Sequence, residues 1–430
     1  MSNKLLTAMV LAVCGAASGG EAPKPAAGAA PPKAAPAKAA PAPAAAKPPD
    51  SGSVSSATKA SMSLYGTLVM NAFFNTAPTN NIDVPLFALK QGSDPAGSQT
   101  FGMTARQSRI GMRFQGREIG GAKLTGQVEV DFLGGKPAFG NGQNMDLIRL
   151  RIAVGRLDWK TYSLVAGEDW SVFAPLNPST LAEFAIPGMS ASGNAWIRSP
   201  QIRFESRHDL GDSTKVQLQI AATDPSLGDY PTAQFRTART PGIGEYGRVP
   251  ASDGRLLLTH RGWAFGFSGH YARGQNSGTL AGAAVRNSVD SLGMAFDYTI
   301  PVGRKVMLAG EMFRGRALGI FSAAAGQSVL PVGTPGARGV MATGGWSQLQ
   351  YNPRTKWQFN LVWGMEADRR STLTAGSRHL NRTYMGNIMY KPAPPVTFGL
   401  EYRRFLTDWL QQPLASERGD HVNLAVAFAF

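Results

Sequence analysis

Cysteine is nearly absent: Cys14 is the single one, so no disulfide can form within the chain. Charge is scarce too, at 17% of 430 residues. Beyond the N-terminus no stretch approaches eighteen uninterrupted apolar residues, which argues against a transmembrane helix. Histidine occurs at His208, His260, His270, His379 and His421, none of them in a recognisable catalytic motif. His270 and Ser277 are the nearest approach to a Ser-His pair. No phosphate-cradling loop or metal-ligand spacing occurs. The chain is therefore read as no enzyme, with neither cofactor nor metal. Lys and Arg number 43 against 28 Asp and Glu, a formal charge of +15. Such a balance raises nucleic acid as a partner, but the basic residues are spread along the chain without a dense block. No nucleic-acid partner is expected.

What the chain does have begins with a leader. Lys4, the apolar run from Leu5 to Val13 and the small residues "CGAASGG" read as a signal peptide over residues 1–18, cut after Ala16 or Ser18. Acylation of Cys14 is the alternative, although Val13 stands where a small residue is usual. Residues 19–60 are an Ala/Pro/Lys-rich stretch. Proline removes donors and fixes φ, so neither helix nor sheet propagates, and a disordered periplasmic spacer is expected. Its lysines suit a tether, with cell-wall contact as a further reading.

Over 61–430 one pattern recurs: about ten alternating residues, then a break. "KLTGQVEVDF" puts Leu124, Val128, Val130 and Phe132 opposite Lys123, Gln127, Glu129 and Asp131. "LIRLRIAV" sets Ile148, Leu150, Ile152 and Val154 against Arg149 and Arg151. Period two with this contrast means strands with one apolar face. A soluble sandwich would alternate as well, so the breaks decide. Short ones such as "REIGGA", "LGDST" and "PVGR" alternate with long ones near 75–100, 134–146, 171–199, 224–252, 273–288, 317–340, 368–381 and 408–419. The pattern predicts an all-β fold, a sixteen-stranded antiparallel transmembrane barrel with short periplasmic turns and long external loops.

A bilayer also explains the aromatics. Trp159, Trp263, Trp357, Tyr298, Tyr351 and Tyr390 lie at short turns and predict one girdle. Phe73, Phe132, Trp170, Tyr271 and Trp363 lie near long loops and predict the other. The last ten residues, "HVNLAVAFAF", are expected to close the barrel against "MSLYGTLVMNAFF", because unpaired edge groups in lipid cost several kcal/mol each.

Charges at mid-depth on the lipid face would cost about 2–4 kcal/mol each, which turns the polar faces inward. That assigns Arg109, Arg113, Arg149, Arg151, Arg203, Arg207 and Arg403 to the lumen, with Glu129, Asp131, Glu205, Glu366 and Glu401. Two readings follow. Rings of Arg favour anions, and their planar forks suit carboxylates. Alternatively, the same charges form ion pairs that stiffen the wall. Residues 1–59 hold six Lys and two acids, which leaves +11 of the +15 to the barrel. The loop "SVFAPLNPSTLAEFAIPGMSASGNAWIRS" is expected to fold inward and constrict the lumen, an external cap being the other reading.

Several stretches resemble the DcaP-like porins: "TARQSRIGMRFQG", "GQVEVDFLGG", "IRLRIAVGRL", "LVAGEDWSVFAPLNP" and "LEYRRF". The resemblance runs along most of 60–430. It departs at the Ala/Pro spacer, where that family often has a coiled coil, and at Glu168 and Asp169. It implies a sixteen-stranded homotrimeric channel of the bacterial outer membrane, associated with uptake of dicarboxylic acids. The expected partners are small anionic solutes, membrane lipid and lipopolysaccharide.

Overall fold

The computed structural model describes residues 60–90, 92, 99–136, 146–228, 240–280, 282–331, 334–353, 355–411 and 415–430. The expected signal peptide, Cys14 and all of the expected spacer except Ala60 lie outside them.

One antiparallel sheet of seventeen strand segments dominates. Thr100–Thr104 and Arg109–Ile119 are successive pieces of one stave, since both pair with Ser61–Asn75, so the barrel has sixteen staves. In chain order they are β1 (Ser61–Asn75), β2 (Thr100–Thr104 and Arg109–Ile119), β3 (Ala122–Asp131) and β4 (Arg149–Asp158). Next come β5 (Tyr162–Trp170), β6 (Arg198–Gly211), β7 (Thr214–Thr223) and β8 (Ala251–His260). β9 (Trp263–Ala272), β10 (Ser291–Val302), β11 (Val306–Arg316) and β12 (Met341–Tyr351) follow. β13 (Trp357–Asp368), β14 (Arg378–Ala393), β15 (Val396–Trp409) and β16 (Ala415–Ala429) complete the wall.

β16 pairs with β1 from Thr67↔Ala429 to Asn75↔His421 and closes the sheet. Gly66 and Phe430 then exchange two backbone hydrogen bonds of 3.1 Å, so the last residue is bonded rather than frayed. Among the described residues no helix is long and apolar enough to cross a membrane; this chain crosses with strands.

Three short turns show why the hairpins are tight. Gly120–Gly121, Asp212–Ser213 and Arg261–Gly262 all have positive φ at both positions, the turn whose twist matches paired strands. The long ends carry their own structure, including a hairpin of Gln275–Leu280 with Ala283–Ser288 and a short pairing of Val329–Leu330 with Arg338–Gly339.

The two faces differ as the alternation demands. Leu64, Leu68, Ile202, Phe204, Leu218, Ile220, Met294 and Leu361 stand 41–67% exposed on the outside, a belt for hydrocarbon. At the short-turn end, Trp159 stacks on Tyr162 with ring centres 4.8 Å apart, and Trp357 meets Tyr390 at 4.5 Å. Three expectations need correction. Phe73 is buried and faces inward, stacked on His421. Tyr298 is also buried; its ring lies over Gly310, and its hydroxyl meets Ser347 at 2.6 Å. In β4 the register skips Arg151 between Glu129↔Ile152 and Val130↔Leu150, a bulge. A bulge reverses the alternation after it, so Ile152 is buried and Val154 lines an inner cavity.

The apolar interior sits under the long loops. Phe173, Phe313, Leu318, Phe321, Val340 and Leu373 pack into one cluster on the β10–β13 side.

Candidate pore lining and constriction

Residues 171–197, between β5 and β6, fold into the barrel. The segment has no ladder of its own, so wall side chains satisfy its backbone. Ser171 Oγ donates to Asp253 at 2.9 Å, the Leu176 amide to Glu311 at 3.0 Å and the Ser179 amide to Gln348 at 2.7 Å. Gln107 grips it twice, donating to the Ala182 carbonyl at 2.7 Å and accepting from the Ala185 amide at 3.0 Å. Asn381 donates to the Ala191 carbonyl at 2.9 Å. Contact with β12 and β13 is close enough to require glycine. A Cβ on Gly193 would lie 2.2 Å from the Gly345 carbonyl oxygen, and one on Gly364 equally near that of Ser192.

Arg403 and Glu183 form a buried ion pair that ties the loop to β15, with Arg403 Nε also donating to Glu401 at 2.6 Å. Burial pushes the Glu183 carboxyl up to about 7, against the pull of Arg403. Truncating one member of such a pair costs about 3–5 kcal/mol, because the other charge is stranded.

The lumenal arginines divide by partner. Arg149 and Arg151 each donate to the Ala185 carbonyl at 3.0 Å, and both bind Asp131, at 2.6 and 2.8 Å. Arg151 also binds Glu129 at 2.8 Å and is 1% exposed, as is Arg403. Arg203 is held by Asp169 and Glu205, both at 2.8 Å. Arg207 reaches Asp158 at 3.3 Å and Glu205 at 3.7 Å. Arg156, which the sequence reading did not single out, joins the same two carboxylates at 2.7 Å each.

Arg109 and Arg113 make no ion pair among the described residues. Arg109 lies over the Phe184 ring of the inward loop, 3.8 Å from its centre, and its buried Nε has no hydrogen-bond partner. Arg113 is exposed and stacks on Tyr65 at 4.0 Å. It lines a cavity of about 620 Å³ with Ser63, Gln115, Gln127, Arg156 and Asp169.

Arg198 also escaped the sequence reading. It is buried between Trp170 and Trp196, 4.8 and 5.2 Å from their ring centres, with Nη1 unpartnered. It lies within electrostatic reach of Arg109, Arg149, Arg151 and Asp131. Arg149 and Arg151 thus meet at Ala185, with Arg109 and Arg198 within electrostatic reach of them, of Asp131 and, for Arg109, of Glu129; Glu168 lies within reach of Arg198. The signal for Arg198 and Phe184 was weak, since both fall in or beside an aperiodic loop. Among the described residues no cluster of His, Cys, Asp or Glu could hold a metal.

No family model matches the sequence, and no curated protein does. Solved structures do. The outer-membrane channel DcaP of Acinetobacter baumannii superposes with a TM-score of 0.63 at 19% identity, covering 88% of this chain and 99% of that one. An anion-selective porin from Comamonas acidovorans gives 0.55 at 11%, covering 86% and 100%. The trimer form of OmpT from Vibrio cholerae gives 0.50 at 10%, covering 86% and 99%. The architecture is that of the outer-membrane porins. With its apolar belt, it places the chain in the bacterial outer membrane.

Proposed function

We propose that the protein is a passive porin for small hydrophilic solutes that prefers anions, dicarboxylates among them. The observation that carries this is the pair Arg109, against Phe184 of the inward loop, and Arg113, in the inner cavity beside Tyr65, which face the lumen without a carboxylate partner. A guanidinium offers five donors in a planar fork and binds carboxylates bidentately. Beside a loop that narrows the lumen, water screens such a charge poorly. Arg151, Arg203 and Arg403 take a different role in this reading. Their forks are spent on wall and loop carboxylates, so they position the constriction. Arg149, Arg207 and the acids Glu129 and Asp131 set the field around it.

The resemblance to DcaP-like porins and the trimer form among the matched structures support a homotrimer. The matched channel and porins also support a non-enzymatic role. The test is current recording in planar bilayers under a salt gradient, followed by flux of a panel of mono- and dicarboxylates. Anion selectivity with faster flux of dicarboxylates than of matched diamines is the expected result. Cation selectivity, or no conductance, refutes the proposal.

A further inference from the structure

Arg113 has no carboxylate partner although one stands beside it. In the ladder of β2 and β3, Gly111 pairs with Glu129 and Arg113 with Gln127, so Arg113 and Glu129 are diagonal neighbours on the lumenal face. Such positions lie about 7–8 Å apart, within reach of long side chains. An exposed guanidinium at that range from a carboxylate ordinarily closes on it. The other acid on the same cavity, Asp169, is held by Arg203 at 2.8 Å.

Tyr65 of β1 accounts for the missing pair. It stands opposite Gly111 in the ladder of β1 and β2, and its ring lies on that glycine: a Cβ there would come within 2.3 Å of Tyr65 Cζ and Oη. From this seat the ring takes Arg113 on its face, 4.0 Å from the centre. The hydroxyl donates to Glu129 Oε2 at 3.1 Å and accepts from Gln127 Nε2 at 2.5 Å. The other oxygen of Glu129 accepts from Arg151 Nε at 2.8 Å, and Arg151 in turn donates to the Ala185 carbonyl of the inward loop at 3.0 Å. Both oxygens of Glu129 are thus occupied. Glu129 and Arg113 each turn to Tyr65 rather than to one another.

We propose that Tyr65 is a positioning residue that keeps Arg113 from being neutralised: its hydroxyl caps Glu129 and its ring seats the guanidinium, so the charge stays open to the lumen. The inference rests on the reading that Arg113 contributes to anion selectivity, and it names the residue on which that contribution depends. A cation over an aromatic face keeps its full charge. One closed on a carboxylate forms a neutral pair and attracts a passing anion far less.

The experiment compares wild type with Tyr65→Ala, Glu129→Gln, Arg113→Gln and the double variant Y65A/E129Q, each first checked for the heat-dependent gel shift of a closed barrel. The readouts are a crystal structure of Tyr65→Ala and the reversal potential of every variant in a salt gradient. In the Tyr65→Ala structure Arg113 is expected within ion-pair distance of Glu129. The reversal potential should move toward cation preference by most of the shift that Arg113→Gln produces. Y65A/E129Q should return to the value of Glu129→Gln alone, because no carboxylate is left for Arg113 to close on. A merely structural role for Tyr65 would make the two substitutions additive. If Tyr65→Ala fails to close, Tyr65→Phe keeps the ring on Gly111 and uncaps Glu129, and it should give part of the same shift, again cancelled by Glu129→Gln. Arg113 left unpaired in the variant structure overturns the proposal. So do additive effects of the Tyr65 and Glu129 substitutions when Arg113→Gln itself shifts the potential. If Arg113→Gln leaves the potential unmoved, the reading of Arg113 fails, and the variant structure alone decides whether Tyr65 keeps the pair apart.

Discussion

The guanidinium carbon of Arg109 lies 3.8 Å from the centre of the Phe184 ring, which joins the wall of the barrel to the loop that crosses it. A cation over an aromatic face is worth about 0.5–2 kcal/mol, depending on desolvation. Phe184→Ala removes this contact while Gln107 and the Arg403–Glu183 pair still hold the loop on either side. Single-channel conductance should rise and thermal stability should barely change. Unchanged conductance would mean that Phe184 does not stand in the solute path.

A second prediction concerns pH. The Glu183 carboxyl titrates near 7 in the fold, above the ordinary value of 4.5. A carboxyl with a raised pKa binds its proton more tightly folded than unfolded, so its stabilising effect is complete below 4.5 and is lost as pH rises through 7. The size is up to about 3 kcal/mol. Barrels heated at pH 5 should therefore resist unfolding more than at pH 8, and Glu183→Gln should flatten that difference. Arg403→Leu should be far worse than Glu183→Gln at pH 8, because it strands Glu183 and Glu401 together. Parallel melting curves for wild type and Glu183→Gln across that range would argue against the assignment.

The seam gives a third. A Cβ on Gly66 would lie 2.3 Å from the Phe430 ring and 2.7 Å from the Arg109 carbonyl oxygen. Gly66→Val should cost about 1–3 kcal/mol through overpacking, read as a lower urea midpoint for the folded band on gels. Phe430→Ala should leave the paired backbone bonds possible yet reduce the yield of assembled barrel in membranes. Full assembly of both variants would show that the seam tolerates what its geometry forbids.

Oligomeric state is the fourth. Mild detergent extracts run on native gels should show a heat-sensitive species of three chains. A monomer that persists through gentle extraction and cross-linking would contradict the trimer.

Much of the fold was legible because a bilayer makes it so. Leu124, Val128 and Val130 alternate with Lys123, Gln127 and Glu129 because one face meets hydrocarbon and the other the lumen. Turn and loop lengths added the direction of each strand. The bulge at Arg151 was not legible, since one extra residue leaves the alternation intact on either side of it. Nor could the polar face say which arginines face water. Arg113 and Arg151 look alike in sequence, yet one lines an open cavity and the other lies under Ala185 with two carboxylates. That difference is made by a loop whose contacts come from strands up to the far end of the chain. The inward course of that loop was the favoured expectation. Phe184 and Arg198 within its reach followed no period and gave only a weak signal.

The central claim, that unpaired lumenal arginines set the selectivity, is tested most directly by the reversal potential of the double variant R109Q/R113Q in a salt gradient. Both side chains lack carboxylate partners, so their removal strands no buried acid and should leave the heat-dependent gel shift of the barrel intact. The account predicts that wild type reverses on the anion-selective side and that the variant moves toward cation preference, with dicarboxylate flux reduced. A variant that folds, conducts and keeps the wild-type reversal potential would contradict it.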